Sequence, residues 1–315
     1  RAQARRGSIL TWAERRQSYD NLGMAFENLD GVTLSENIDV GGVPALWVKA
    51  EEANPAQTLL FLHGGGYCQG SPMSHRGLAA SLSRTCRAQV LLLDYRLAPE
   101  YPFPAPAEDA ETAYRWLLEK GADPTRLCIA GDSAGGGLTV AALTLIRDAG
   151  LPLPAAGICL SPWTDMEATG GSMDKNSGVD PMIVRAGILD FATTYLKGAD
   201  PKSPLATQLH AALNGLPPLL IQVGSIETLL DDSTRLEVAA KKAGVEVTLE
   251  IWDDMPHVWH MFAPKLPEAV QALESVGTFF EARASTRFSN KTNLEDSLRQ
   301  ADLVIGAVLI PGAAA

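Results

Sequence analysis

The chain has few cysteines, and none is spaced as in a metal site or a redox motif. Four occur in 315 residues, without a Cys-x-x-Cys pair or a His/Cys cluster at metal-ligand spacing. Each lies in or beside an apolar stretch, which is typical of reduced, buried thiols rather than of a disulfide framework. They are Cys68, Cys86, Cys128 and Cys159. We therefore expect no metal, no cofactor and no disulfides.

Basic residues are scarce relative to acidic ones. Lys and Arg number 26 against 37 Asp and Glu, which gives a formal net charge of −11. An acidic surface repels nucleic acid and anionic membranes, which argues against both as partners and favours a small neutral substrate. The chain also lacks a signal-peptide pattern and any apolar run long enough to span a bilayer. We expect a cytoplasmic protein without stable membrane insertion.

Strand-like apolar runs alternate with helix-like segments along most of the chain. The predicted strands are 32–40, 43–49, 58–62, 89–93, 127–130, 156–160, 218–223 and 245–251, with a loop at 54–55. The predicted helices are 76–85, 107–119, 137–148, 184–196, 233–243 and 267–282. This alternation predicts an α/β protein with a mostly parallel, doubly wound sheet and helices on both faces. Ligands bind such sheets beyond the carboxyl ends of the strands.

Residues 131–135 read Gly-Asp-Ser-Ala-Gly and lie between a predicted strand and a predicted helix. A nucleophile elbow requires this context, because its sharp turn holds the serine hydroxyl out at the top of the sheet. Gly131 and Gly135 would let the neighbouring strand and helix approach closely. The alternative is a glycine-rich turn without catalytic function, so the choice depends on partners elsewhere in the chain.

A second glycine-rich segment, 64–66, directly follows an apolar strand and His63. Successive glycines allow the backbone to aim several N–H groups at one point, as an oxyanion hole requires. We expect Gly65 and Gly66 to donate there, together with Ala134, the residue after the nucleophile. His63 is interpreted as an orienting residue for this loop.

The general base should follow Ser133 in the chain, in a loop after the last strand. His257 fits this place, because it follows a short loop after the strand that ends at Ile251. We interpret His260 as a packing residue of the next turn and His210 as a surface residue.

The third catalytic group should lie just beyond the predicted strand 218–223. Glu227 is the favoured acid, and Asp231 is the alternative. Asp231 and Asp232 stand at the start of a predicted helix, where capping and dipole roles suit them.

Together these motifs resemble the hormone-sensitive-lipase family of α/β-hydrolases, in its bacterial esterase group. The matching pieces span about residues 8–284 and are 63–66 (His-Gly-Gly-Gly), 94–105, 131–136, 161–163 (Ser-Pro-Trp) and 255–257 (Met-Pro-His). The resemblance implies a mostly parallel eight-stranded sheet with a helical cap, and ester hydrolysis by a serine nucleophile without a cofactor. It also implies a homodimer, since relatives often pair through an edge strand. The family's usual acid is an aspartate, whereas Glu227 stands at that place here.

The resemblance divides the chain into four parts. We expect N-terminal cap helices at 1–30, a catalytic domain at 31–163 and 205–284, a cap insertion at 164–204 and an extension at 285–315. The substrate pocket is expected to include Tyr67, Trp163 and Met182.

The extension carries a resemblance of its own. Residues 293–313 are similar to a helix–strand piece of the nucleotide-binding domain of alanine dehydrogenases, but they bring no Gly-x-Gly-x-x-Gly loop. We interpret the extension as a cloning junction or a recent fusion, a passenger without a second function.

The sequence thus predicts a carboxylesterase acting on short acyl chains. Two alternatives use the same fold. One is an amidase or deacetylase with the same machinery, and the other is a non-catalytic ligand-binding protein, which typically loses the histidine that is present here as His257.

Overall fold

The computed structural model describes residues 10–284 as one sheet flanked by helices. The strands are β1 (Val32–Leu34), β2 (Ile38–Asp39), β3 (Pro44–Ala50), β4 (Asn54–Leu62), β5 (Ala88–Leu93), β6 (Leu127–Asp132), β7 (Ala156–Leu160), β8 (Leu219–Gly224) and β9 (Val247–Trp252). The helices are α1 (Trp12–Met24), α2 (Pro72–Cys86), α3 (Ala105–Glu119), α4 (Ala134–Asp148), α5 (Ser172–Lys175), α6 (Arg185–Leu196), α7 (Leu230–Lys242) and α8 (Pro267–Ala284).

The sheet order is β1-β3-β5-β4-β6-β7-β8-β9, with β2 paired to β3 beside this path. Strands β5, β4, β6, β7, β8 and β9 run parallel, and β3 joins them antiparallel at one side. The predicted mostly parallel sheet is confirmed. Within the described residues the sheet has nine strands rather than eight, because the predicted strand 32–40 is divided into β1 and β2. The hydroxyl of Ser35 accepts the N–H of Trp47 at 3.0 Å, which interrupts the regular pairing there.

Strand β4 shows why the central strands are apolar throughout. Leu60 and Leu62 belong to the core on one face of the sheet, and Leu59 and Phe61 belong to the core on the other. Helices cover both faces, so alternate side chains of the strand are buried on opposite sides. Burial of each such side chain contributes about 1.5–3 kcal/mol.

The predicted loop at 54–55 is wrong, because β4 begins at Asn54. The pairing with β5 is irregular between Asn54 and Thr58. This irregularity accommodates Pro55, which has no N–H to donate to a regular ladder. Helices α4 and α7 each begin three residues earlier than expected.

Two helices from distant parts of the chain meet above the carboxyl ends of the strands. Trp12 of α1 contacts Phe191 of α6, with ring centroids 5.8 Å apart. A Cβ atom on Gly66 would overlap the Phe191 ring, so α6 lies directly on the glycine-rich loop. The N-terminal helix and the insertion after β7 therefore cover the same end of the sheet.

Other sequence expectations concern thiols, metals and membranes. All four cysteines are buried and free. Within residues 10–284 there is no group of His, Cys, Asp and Glu side chains arranged to hold a metal ion. No helix in that part of the chain is long and apolar enough to cross a bilayer.

Candidate active site

Ser133 stands on a strained turn between β6 and α4. Its backbone has φ 52° and ψ −119°, a conformation that residues other than glycine rarely adopt. A Cβ atom on Gly135 would overlap the carbonyl oxygen of Leu62, and one on Gly131 would overlap the carbonyl oxygen of Gly135. Both glycines are therefore required by close backbone packing, as a nucleophile elbow demands.

The structure brings Ser133, His257 and Glu227 into one hydrogen-bonded chain. Nε2 of His257 lies 2.9 Å from Oγ of Ser133, and Nδ1 lies 2.8 Å from Oε2 of Glu227. The serine and the histidine are buried to within a few per cent, and the glutamate is fully buried. Burial lowers the pKa of the His257 imidazole, but the hydrogen bond and charge of Glu227 outweigh it, so the pKa is raised. This arrangement suits a base that takes the serine proton and is stabilised as a cation.

Both oxygens of Glu227 are committed. Oε1 accepts the N–H of Gly224 at 2.6 Å and the hydroxyl of Ser161 at 2.7 Å, which leaves Oε2 for the imidazole. The oxygen of that hydroxyl also accepts the N–H of Val258 at 3.1 Å. Ser161 thus links the acid to the loop that carries His257. In the sequence, Ser161 is recognisable only as part of the Ser-Pro-Trp motif, which predicts no role for it.

The insertion after β7 is also hydrogen-bonded to the loop that carries Glu227. Nδ2 of Asn176 donates to the carbonyl oxygens of Glu227 at 2.7 Å and Ser225 at 3.1 Å. The carboxylate of Asp180 accepts the N–H of Thr228 at 2.8 Å. Sequence reasoning missed these contacts, because they join residues about fifty positions apart and carry no motif.

The two aspartates at the start of α7 lie outside the hydrogen-bonded chain. Oδ2 of Asp231 accepts the N–H of Ser172 at 2.9 Å. Oδ2 of Asp232 accepts the N–H groups of Thr164 and Asp165 at 2.7 and 2.9 Å. Burial raises the pKa of Asp232 to about 7. Their expected capping role is wrong, because their carboxylates bind the segments after β7 and α7 has no side-chain cap.

The backbone of the glycine-rich loop has its N–H groups free to meet a ligand. Within residues 10–284, the N–H groups of Gly65, Gly66 and Ala134 take part in no hydrogen bond. The carbonyl of Gly64 is 2.8 Å from Nδ1 of His63, and that of Gly65 accepts the N–H of Gln69 at 3.0 Å. A trans peptide directs its C=O and N–H in opposite directions, so these contacts fix where the next two N–H groups point.

The remaining candidates differ in exposure. Tyr67 and Trp163 are fully buried, and Tyr67 is stacked on Tyr195 with ring centroids 4.0 Å apart. Met182 is 44% exposed on the insertion. The two tyrosine rings are therefore packed together in the interior, whereas Met182 lies at the surface.

The other two histidines considered as bases lie outside the site. Nε2 of His260 is 2.9 Å from Oε1 of Gln222, deep in the core. His210 is exposed in a short 3₁₀ turn.

Comparison with known proteins gives a consistent result. A family model described as alpha/beta hydrolase fold matches residues 59–261. An acetyl-hydrolase of Streptomyces hygroscopicus is 51% identical over 84% of this chain and 88% of its own length. The crystal structure of an esterase from the bacterial hormone-sensitive lipase family is 50% identical, with a TM-score of 0.86, and covers 89% of this chain and 94% of its own. The chain belongs to the hormone-sensitive-lipase family of α/β-hydrolases. Membership confirms the expected fold and the expected class of enzyme, an ester hydrolase.

A further relative supports the assignment. An esterase of Acinetobacter venetianus is 35% identical over 77% of this chain and 80% of its own length.

A second family model matches the end of the chain. It is described as alanine dehydrogenase/PNT, C-terminal domain, and covers residues 266–315. The predicted resemblance is confirmed, and the match begins earlier than 293. Its first part coincides with α8, where Leu273, Val276 and Phe280 are buried in the core beneath the sheet. The rest of the match, residues 285–315, is the extension and lies outside the described residues.

Proposed function

We propose that this esterase hydrolyses short-chain carboxylic esters through an acyl-enzyme formed on Ser133. The observation that carries the proposal is the hydrogen-bonded chain from Oγ of Ser133 through the His257 ring to Glu227, at 2.9 and 2.8 Å. The short acyl preference is supported by the name of the acetyl-hydrolase relative.

In the first half-reaction, Oγ of Ser133 attacks the ester carbonyl carbon while Nε2 of His257 takes the hydroxyl proton. The C–O bond of the tetrahedral intermediate then breaks, and the imidazolium returns its proton to the leaving alcohol. Glu227 holds Nδ1–H and stabilises the ring while it is charged. Water repeats the sequence on the acyl-enzyme and releases the carboxylic acid.

The developing oxyanion is bound by the free N–H groups of Gly65, Gly66 and Ala134. Loss of one such donor costs about 3 kcal/mol in comparable enzymes. Because the carbonyls of Gly64 and Gly65 are already bonded, these donors need no reorganisation when charge develops.

The proposal is tested by hydrolysis of p-nitrophenyl esters from acetate to palmitate. We expect turnover of acetate and butyrate, with a steep fall towards palmitate, because the expected pocket residues Tyr67 and Trp163 are fully buried and packed against each other. Binding of esters without turnover of any would instead support the ligand-binding alternative. Matched anilides separate ester from amide cleavage, since an amine leaving group needs fuller protonation.

The division into catalytic domain and cap, the cytoplasmic location and the homodimer belong to the same proposal. The buried, free cysteines are consistent with a reducing compartment. Strand β9 forms one edge of the sheet within residues 10–284, with Ile251 48% exposed, and is the surface through which two copies would pair.

We further propose that residues 285–315 are a passenger. Their deletion is expected to leave kcat, KM and the oligomeric state unchanged, because the described catalytic groups and the core helix α8 all precede residue 285. Kinetics and size-exclusion chromatography of the shortened and full chains provide the measurement. A loss of activity in a folded shortened chain would assign the extension a function.

A further inference from the structure

Beneath the glycine-rich loop lies a buried pair that the mechanism above does not use. Oδ2 of Asp132 is 3.3 Å from Nε2 of His75, and both side chains are fully buried. Asp132 directly precedes the nucleophile on β6, whereas His75 lies in the first turn of α2. Among residues 10–284, neither side chain is hydrogen-bonded to Glu227 or to His257.

The other oxygen of Asp132 reaches the loop. Oδ1 accepts the N–H of Gly64 at 2.9 Å. A Cβ atom on Gly64 would overlap the Asp132 carboxylate, so this contact depends on the glycine. One carboxylate thereby ties the loop that bears the expected oxyanion donors to the strand that bears Ser133.

The histidine is fixed in turn by the start of α2. The Ser74 hydroxyl donates to the Ser71 carbonyl at 2.9 Å, and Nδ1 of His75 is 2.8 Å from the same Ser74 oxygen. The two ring nitrogens of His75 thus face an oxygen each, in Ser74 and Asp132. The hydroxyl and N–H of Ser71 cap this helix in a capping box with Ser74, which sets the ring's place.

The charge of Asp132 is retained despite its burial. Burial raises the pKa of the Asp132 carboxyl, but His75, His63 and the N–H of Gly64 together outweigh this and hold it below its ordinary value. The group is therefore an ionised acceptor for two donors, and charge-assisted bonds of this kind are about twice as strong as neutral ones.

We propose that Asp132 and His75 are positioning residues that hold the oxyanion loop in register with Ser133, so that they act on the transition state and not on substrate binding. The proposal rests on the proposed function. Displacing a catalytic element by about 1 Å can cost about 100-fold in rate. Asp132 joins the end of β6, which leads directly to Ser133, to the N–H of Gly64.

The experiment compares His75→Leu, His75→Gln and Asp132→Asn in the full chain. We expect His75→Leu to lower kcat by about 10- to 100-fold with KM unchanged. His75→Gln should recover most of the loss, because its side-chain amide can still donate to Asp132. Asp132→Asn should also lose activity, since an amide has one acceptor oxygen for the two donors, Gly64 N–H and His75 Nε2.

A transition-state readout separates positioning from general destabilisation. A short-chain trifluoromethyl ketone adds to Ser133 as a hemiketal that carries an oxyanion, so its affinity should fall by the same factor as kcat. The acid limb of the pH profile should stay in place in the two His75 variants, because Asp132, Glu227 and His257 keep their charges. In Asp132→Asn it should move to lower pH, because the charge of Asp132 is one of the groups that raise the pKa of His257. Tyr114→Phe is the matched control. It removes a partly buried 2.7 Å hydrogen bond to the Pro152 carbonyl, which involves no residue of the loop or of the elbow, and should change thermal stability without changing kcat.

Folded His75→Leu and Asp132→Asn variants that keep wild-type kcat and ketone affinity would overturn the proposal, as would a rise in KM alone. If His75→Leu does not fold, the isosteric Asp132→Asn decides by the same criteria. A wild-type protein that neither cleaves esters nor binds the ketone would instead overturn the proposed function.

Discussion

Replacement of Ser133 with alanine is expected to lower kcat for p-nitrophenyl acetate by about 10⁶-fold, to the rate that binding and the oxyanion donors alone support. The hydroxyl is the nucleophile of the proposed reaction, and the 2.9 Å contact with Nε2 of His257 gives it its base. KM should change little, because the hydroxyl contributes mainly to the chemical step. Steady-state kinetics with a protein free of contaminating esterase provide the measurement.

Further variants show whether Ser133 and His257 act as one unit or contribute independently to kcat. His257→Ala should cost about as much as Ser133→Ala, and the double variant should be no slower than either single one, since the groups act as a unit. His210→Ala is the control, because this histidine is exposed and remote from Ser133. A Ser133→Ala protein within tenfold of wild type would show that another nucleophile is used.

Glu227→Gln is expected to lower kcat by about 10⁴-fold. The N–H of Gly224 and the hydroxyl of Ser161 point at Oε1, so a glutamine amide would keep its oxygen there and turn its NH₂ group towards His257. That group would donate to Nδ1 and force the ring into the tautomer protonated at Nε2. Such a ring cannot accept the proton of Ser133.

The residual activity of Glu227→Gln should also show a shifted pH dependence. Burial lowers the pKa of the His257 imidazole, and Glu227 more than offsets this in the wild type. The free base is the active form, so kcat/KM falls as the pH drops through this raised pKa. Without the carboxylate the pKa falls, and the acid limb should move to lower pH.

Asp231→Asn is the matched control for the acid. Its carboxylate binds the N–H of Ser172 and does not contact the imidazole, so kcat should stay close to the wild-type value. A larger loss in Asp231→Asn than in Glu227→Gln would reverse the assignment of the acid.

The sequence was informative wherever a function depends on local backbone. The elbow around Ser133 and the glycine run after His63 are contiguous, and their neighbouring strands are apolar on both faces. The choice of His257 over His260 followed from its place after the last strand. In the structure His257 contacts Ser133, and His260 is bound to Gln222 in the core.

Long-range hydrogen bonds were beyond prediction. Ser161 and Glu227 are 66 positions apart, and His75 and Asp132 are 57 apart, and no periodicity or spacing links such pairs. Asp232 was misread for the same reason. Its position near the start of α7 suited a capping role, but the segment that follows β7 supplies the N–H groups that it binds.

The hydrogen bonds between the insertion and the loop that carries Glu227 limit which parts of the insertion can change without loss of activity. A cap that covered the pocket without contacting the catalytic loops could be exchanged between relatives to obtain new substrate preferences. Here Asn176 and Asp180 hold the backbone on which Glu227 is mounted, so their segment belongs to the catalytic frame. We expect substitutions that change substrate preference to be tolerated in α6 and in the surface around Met182. Replacing residues 172–180 with the corresponding segment of a relative should lower kcat, because it removes the hydrogen bonds to the loop that carries Glu227.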